Sequence, residues 1–345
     1  MPYRYALAAV CLVVGLSFVW GCDNSKKEKT FQYFNKGTEY LRRKDLSKAL
    51  HYFNQALLLS PDQPDLYNNR GIVYYQQKNY QAALTDYNQA LQLKQNYPDA
   101  LYNRALLYYE QGKYAEALAD LDKAALQQKD SAQVFLSRAR VKLQLRDFQG
   151  SISDLDTYLT LNPQEAMGYE SRAYLYYRMH QPESAQKDWA KALSFDKNLP
   201  LTLANQALLE ARNRQFEQAL VLINQALALD AEETYVLDAK AWIYLQMNKV
   251  KEAQQNIELS WQKDSTQNAW VLRNKGVLLL AQKKPEQALV LFQKAEQIQP
   301  AVELLYFYMG EAYQQLNQNE KACGCWKKEA DLQHPESLKQ IKAQC

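Results

Sequence analysis

Asparagine recurs at a fixed interval in this chain. Asn35, Asn69 and Asn103 are evenly spaced, and Asn205 and Asn274 fall on the same frame once a single inserted residue is allowed. A carboxamide carries both a donor and an acceptor, so a column of them can grip the peptide groups of an extended chain whatever its side chains are. Arginine keeps the same interval at Arg70, Arg104, Arg138 and Arg172, and aspartate keeps it at Asp86, Asp120, Asp154 and Asp188. Guanidinium groups suit carboxylate ligands. An aspartate column in the same four stretches points instead to a structural ladder of internal ion pairs. Other chemically able groups are scattered. His51, His180 and His334 stand alone, no G-x-S-x-G occurs, and neither common nucleotide-binding loop is present. Nothing converges into a catalytic or metal-ligating set, so the chain is expected to be no enzyme and to use no cofactor and no metal.

The elements that position these columns follow from composition and period. Of 345 residues 47% are hydrophobic, only ten are Gly and ten Pro, and 25 are Tyr. That apolar content excludes a disordered chain. Forty-one Lys and Arg against 38 Asp and Glu leave +3, which offers no footprint for nucleic acid or for an anionic membrane face. A 34-residue frame has starts at 30, 64, 98, 132, 166, 200, 234, 269 and 303. Frame position 8 holds Gly37, Gly71, Ala105, Ala139, Ala173, Ala207, Ala241, Gly276 and Gly310; position 20 holds Ala in every repeat but one, where Ser151 stands. Position 24 is always bulky, from Phe53 and Tyr87 to Trp326. Apolar residues at positions 4, 7/8 and 11, then at 20, 24 and 27, have helical spacing. The frame therefore predicts two antiparallel helices per repeat, with small residues at 8 and 20 letting the backbones approach. Pro61, Pro163 and Pro300 stop the second helix in three repeats.

The run Leu66-Tyr67-Asn68-Asn69-Arg70-Gly71 with Tyr74, Ala83, Tyr87 and Ala90, and the set Tyr33, Gly37, Tyr40, Ala49, Phe53, Ala56 and Pro61, resemble the tetratricopeptide repeat family. The resemblance covers nine copies over 30–333. It implies an all-α fold, a right-handed superhelical solenoid of helix-turn-helix repeats whose first helices line a concave groove. It also implies that positions 2, 5, 6, 9, 12 and 13 face that groove. On those positions stand Asn35, Asn69, Asn103, Asn205 and Asn274, similar to the asparagine ladder of O-GlcNAc transferase, together with Tyr75, Tyr102, Tyr109, Tyr174, Tyr177 and Trp242. A protein or peptide partner is expected there, with no nucleic acid. Departures from the pattern at Lys142, Ser151 and Tyr158 in the fourth repeat, and at Glu210 in the sixth, suggest units that pack less well and bend.

The first residues read as an address. Arg4 precedes a 15-residue apolar run, Ala6 to Trp20, which ends in Gly21-Cys22. The run is too short to span a bilayer, which takes about 20 residues, and it has the order of a secretory signal. Val19-Trp20-Gly21-Cys22 resembles the bacterial lipobox, with Trp20 where that family has a small residue. The resemblance implies a signal peptide over 1–21, a diacylated Cys22 and a tether over 22–29, placing the chain in the bacterial cell envelope with the membrane reached through the anchor only. Asp23 is similar to the inner-membrane retention signal of enteric bacteria, and the choice between inner and outer membrane stays open.

Cys323, Cys325 and Cys345 remain at the other end. No second pair completes a zinc set. Cys323 occupies frame position 21, which faces the next helix along, here a capping helix expected over 334–345 with Leu338, Ile341 and Cys345 on one stripe. A Cys323–Cys345 disulfide would staple that cap, a closure worth about 3 kcal/mol; a Cys325–Cys345 bridge is the alternative. The leading functional expectation is a membrane-anchored scaffold for protein or peptide partners. The competing one is a wall-glycan binder that stacks sugars on its Tyr-rich face.

Overall fold

The computed structural model describes residues 25–263, 268–299, 302–331, 340, 341, 343 and 345. The leader and Cys22 lie outside these residues, as does most of the expected cap; Gln340, Ile341 and Ala343 within it are helical. Among the described residues there are helices and no strands. They come in pairs, α1 (25–42) with α2 (Leu46–Leu59), α3 (Pro64–Gln76) with α4 (Tyr80–Leu93), α5 (Pro98–Glu110) with α6 (Tyr114–Gln127), and α7 (Ala132–Gln144) with α8 (Phe148–Leu161). There follow α9 (Ala166–Arg178) and α10 (Pro182–Phe195), α11 (Pro200–Arg212) and α12 (Phe216–Leu229), α13 (Thr234–Gln246) and α14 (Val250–Lys263), α15 (Ala269–Ala281) and α16 (Pro285–Ile298), and α17 (Leu305–Gln315) and α18 (Asn319–Asp331).

Three local devices make each hairpin. The second helix of several repeats is capped at frame position 16, where Asp45, Asn79 and Asp147 accept from the backbone N–H of Lys48, Ala82 and Gly150. The turn itself is left-handed at position 15, with φ of +55° to +71° at Lys44, Lys78, Gly112, Arg146, His180, Arg214, Asn248, Lys283 and Asn317. Bonds such as Lys78 N–H to the Tyr75 carbonyl and Asn79 N–H to the Tyr74 carbonyl close it, satisfying the last carbonyls of the first helix. Between the helices, small residues meet the bulky position 24. A Cβ on Gly71 would stand 2.6 Å from the Tyr87 ring, one on Gly37 2.7 Å from Phe53, and ones on Gly276 and Gly310 would stand closer still to Phe292 and Trp326.

The chain divides into two compact units, Met1–Pro163 and Gln164–Cys345. Within each, successive first helices pack on one another (α3 on α5 on α7; α11 on α13 on α15 on α17), a contact that neighbouring second helices do not match. The first-helix face of each unit is thus the inside of its bend.

Three expectations change. The tether is shorter than 22–29, because α1 already includes residues 25–29. Thr30 fastens this early turn, donating to the Lys26 carbonyl (2.9 Å) and meeting Ser60 Oγ at 3.0 Å. The fourth repeat packs fully: Ser151 is 1% exposed and donates to the Ala139 carbonyl at 2.7 Å, while Lys142 Nζ reaches Asp154 at 2.8 Å. A polar atom there is satisfied rather than stranded, so the substitutions do not loosen the unit. Finally, α17 begins at Leu305, two residues after the frame start at 303. Leu304 is left-handed (φ +59°) in front of it.

Candidate binding face

In the N-terminal unit the first helices α3, α5 and α7 enclose an open cleft of about 420 Å3. Asn69 and Asn103 line it together with Asn68, Tyr97, Asp99, Tyr102, Gln128 and Gln133. The amides are held in place from behind. Asn69 Nδ2 donates to the Asp65 carbonyl (2.8 Å), and Asn103 Nδ2 donates to Asn68 Oδ1 (2.9 Å). Each keeps its carbonyl oxygen and a second N–H for the cleft. Ser137 Oγ donates to the Tyr102 hydroxyl (3.3 Å), and Gln128 Nε2 donates to Asp99 (3.0 Å). Burial, and then the neighbouring Asp65, push the Tyr97 hydroxyl far up, so it stays protonated as a donor. Such a surface can exchange hydrogen bonds with a chain backbone at several points. Asn35, exposed on α1, stands apart from the cleft. Tyr75 and Tyr109 line a smaller pocket of about 100 Å3 beside it. Their rings pack on Tyr80 and Tyr114, at centroid separations of 5.8 and 5.5 Å.

Asn68, Tyr97, Gln128 and Ser131 were not among the sequence candidates. Asn68 occupies frame position 5, already assigned to the inner face. Tyr97, Gln128 and Ser131 come from loops between repeats, and the only signal is an aromatic directly before Pro98.

The arginine column is internal. Each guanidinium holds the aspartate of its own repeat by two bonds: Arg70–Asp86 at 2.8 and 2.7 Å, Arg104–Asp120 at 2.7 and 2.8 Å, Arg138–Asp154 at 2.9 and 2.6 Å, Arg172–Asp188 at 2.7 and 2.9 Å. These aspartates are 2–4% exposed. The hydrogen bonds raise the pKa of Arg70, Arg104 and Arg138 further. In those three repeats Nη1 also reaches back to the preceding second helix, to Asn54 (2.8 Å), Asn88 (2.7 Å) and Asp122 (3.0 Å). The ladder therefore ties repeats to each other.

The C-terminal unit uses its inner face differently, and four expected binding residues are internal there. Val302, Leu304, Leu305, Tyr306 and Tyr308, all buried, close over it. Arg212 of α11 pairs with Glu303, three repeats on in the frame. Arg273, 3% exposed, donates to the Glu303 carbonyl (2.8 Å) and to Asn274 Oδ1 (2.8 and 3.2 Å), and burial lowers its pKa. Asn274 has no exposed surface and donates to the Asp238 carbonyl at 2.9 Å. Trp242 Nε1 donates to the Tyr308 hydroxyl (3.2 Å), as does Gln246 (3.1 Å), and Asn205 accepts from Tyr235 at 2.6 Å. Tyr177 is 5% exposed, with Arg212 over its ring at 5.0 Å, and burial raises its hydroxyl pKa. The space left among these groups is about 10 Å3, room for a single water. Asn205, Asn274, Tyr177 and Trp242 hence present nothing to a partner: Tyr235, Asp238 and Arg212 of the adjoining repeats cover the first three, and Tyr308, two repeats on, covers Trp242. Tyr174 stays half-buried, its hydroxyl accepting from Arg178 (2.9 Å).

At the far end the sulfurs of Cys323 and Cys345 are 2.07 Å apart, a disulfide with Cα atoms 5.8 Å apart. Cys325 is the free thiol, half-buried, its pKa pushed up to about 11 by that burial. Glu329, with no exposed surface, accepts from the N–H groups of Leu304 (2.9 Å), Tyr306 (2.8 Å) and Phe307 (3.3 Å), capping α17 from within α18. Among the described residues no His, Cys, Asp and Glu cluster could hold a metal ion.

Two tetratricopeptide repeat sequence models match the chain, at residues 39–101 and 98–129. No curated protein matches it in sequence. Among solved structures, pilF of Pseudomonas aeruginosa is similar at 20% identity and a TM-score of 0.56, covering 63% of this chain and 99% of its own. A tetratricopeptide repeat protein from Parabacteroides merdae aligns at 20% identity and a TM-score of 0.46, over 83% of this chain and 99% of its own. The pilF likeness is one of fold. Paired helices that return on one fixed step, small residues at both close approaches, and two matches to the repeat's own sequence pattern within residues 39–129 give this chain the tetratricopeptide repeat fold.

Proposed function

We propose that the protein is a lipid-anchored scaffold of the bacterial cell envelope that holds an extended segment of a partner protein in the cleft of its N-terminal unit. The observation that carries this reading is the cleft itself: Asn68, Asn69 and Asn103 converge on an open space of about 420 Å3, large enough for several residues of chain. The anchor rests on the lipobox resemblance at Cys22. No helix among the described residues is long and apolar enough to cross a membrane. Two or three acyl chains hold a protein stably where one does not. The glycan reading is the weaker one, since Tyr75 and Tyr109 already pack against Tyr80 and Tyr114.

The test is a photo-crosslinking pull-down from solubilised envelopes with the intact chain. Losing two backbone-directed amides costs about 1–2 kcal/mol, so Asn69→Ala with Asn103→Ala should cut recovery of a bound protein about tenfold. Undiminished recovery by that variant, or retention on purified wall sacculi that only Tyr75→Ala with Tyr109→Ala abolishes, would overturn the reading.

A further inference from the structure

The near-neutral charge of the chain hides an asymmetry. Residues 25–60, the first hairpin, carry eight Lys and Arg against three acidic residues, a net +5; the rest of the chain after the leader is net negative, with 32 basic against 35 acidic residues. All eight (Lys26, Lys27, Lys29, Lys36, Arg42, Arg43, Lys44 and Lys48) are exposed.

Their arrangement is a surface. On α1 the residues Lys29, Tyr33, Lys36, Tyr40 and Arg43 step by four and three, one stripe of a helix. On α2, Tyr52 completes it. Its ring is 5.5 Å from Tyr40 and 6.2 Å from Tyr33, Lys36 sits over it at 5.4 Å, and Lys48 sits over Tyr40 at 5.1 Å. Lys36 and Tyr52 hold the frame positions that Arg70 and Asp86 hold in the next repeat. There the arginine turns back onto Asn54 of the preceding helix. Among the described residues no repeat packs on this side of the first hairpin, and cations with half-buried tyrosines stand here in place of the ion-pair ladder.

We infer that this end of the first hairpin docks on an anionic lipid surface, a reading that rests on the anchor proposed above. Two features choose the occupant. Only Asp23 and Asn24 separate Cys22 from Ser25, the first of the described residues and already helical. At most about 3.6 Å per residue keeps α1 within roughly 10 Å of a lipidated Cys22. The chemistry also matches an interface: tyrosines sit at headgroup level, and Lys and Arg are drawn to an anionic leaflet. A second copy of the same end would bring two +5 surfaces together and is disfavoured.

The experiment reconstitutes the full lipidated chain in vesicles of phosphatidylcholine, with and without about one-third phosphatidylglycerol, and follows lysine acetylation by a water-soluble ester. Lys29, Lys36 and Lys48 should react about fivefold more slowly on the anionic vesicles, Lys123 and Lys129 should not change, and ~0.5 M NaCl should abolish the difference. Equal rates on both vesicles, with the chain still floating with lipid, overturn the docking alone. Slowing that follows protein density rather than lipid charge marks a second copy and also overturns it. A chain that floats with neither vesicle is not anchored, which removes the anchored reading and this one together.

Discussion

At the scale of single residues, burial sets the chemistry that the fold tolerates. Glu311 on α17 has an Oε1 atom without a partner among the described residues, and burial raises its pKa above the usual carboxylate range. A raised folded-state value means the folded chain prefers the protonated acid. Its contribution is therefore fully present below about pH 4.5 and is lost as pH rises through the folded value. Glu311→Gln should raise stability by about 1 kcal/mol at neutral pH, with the gain shrinking toward zero near pH 4; thermal melts across that range check the sign. The amides teach the converse lesson. Asn69 and Asn274 share a frame position, yet one faces an open cleft and the other has no exposed surface. Frame position states which way a side chain leaves its own helix. It says nothing about whether a later stretch of chain covers it, and Tyr308 meets Trp242 across 66 residues.

At the scale of the hairpin most of the structure was legible in the sequence. The helix starts at Pro64, Pro98, Ala132, Ala166, Pro200, Thr234 and Ala269 fall on the first residue of the repeating frame, because turn chemistry and apolar spacing agree at each. The size rule between positions 8 and 24 is also local. Glycine stands opposite Phe53, Tyr87, Phe292 and Trp326, whereas alanine stands opposite Leu121, Leu155, Ile223 and Ile257. Ala173 opposite Trp189 is the departure. This predicts a change of sign. Alone, Gly71→Ala gains about 1 kcal/mol of helix propensity but drives a Cβ to 2.6 Å from Tyr87. Overpacking costs about 1–3 kcal/mol, so the protein should be destabilised. In a Tyr87→Leu background the same substitution should stabilise by about 1 kcal/mol, a comparison made by chemical denaturation of the four proteins of the cycle. The left-handed turns were not legible. Eight of the nine residues at position 15 are not glycine, so composition gave no warning of the positive φ that Lys78 or Arg146 adopts.

At the scale of the whole molecule, the two units use one repeat for two purposes. The N-terminal unit keeps its inner face open and polar; the C-terminal unit fills its own with Glu303, Leu304 and Tyr308. The sequence models match only residues 39–129, inside the first unit. The second lacks the Arg–Asp signature in its later repeats, where Gln206 and Leu222 hold those positions. Removing one member of a largely covered pair strands the other, so Arg212→Leu should destabilise the protein by about 2–3 kcal/mol, less than a fully buried pair would lose. Arg212→Leu with Glu303→Gln should recover most of that loss. Neither variant should alter capture by the Asn69 and Asn103 cleft, which a parallel melt and pull-down would establish.

The meeting of ring and small residue lies wholly inside each hairpin, between positions 8 and 24. A duplication or deletion of one whole repeat at the level of the gene would carry both members along, so a new copy arrives already fitted to itself. The array can then lengthen or shorten by inheritance while its interiors remain intact, leaving mutation free to rework the outward face of any one copy.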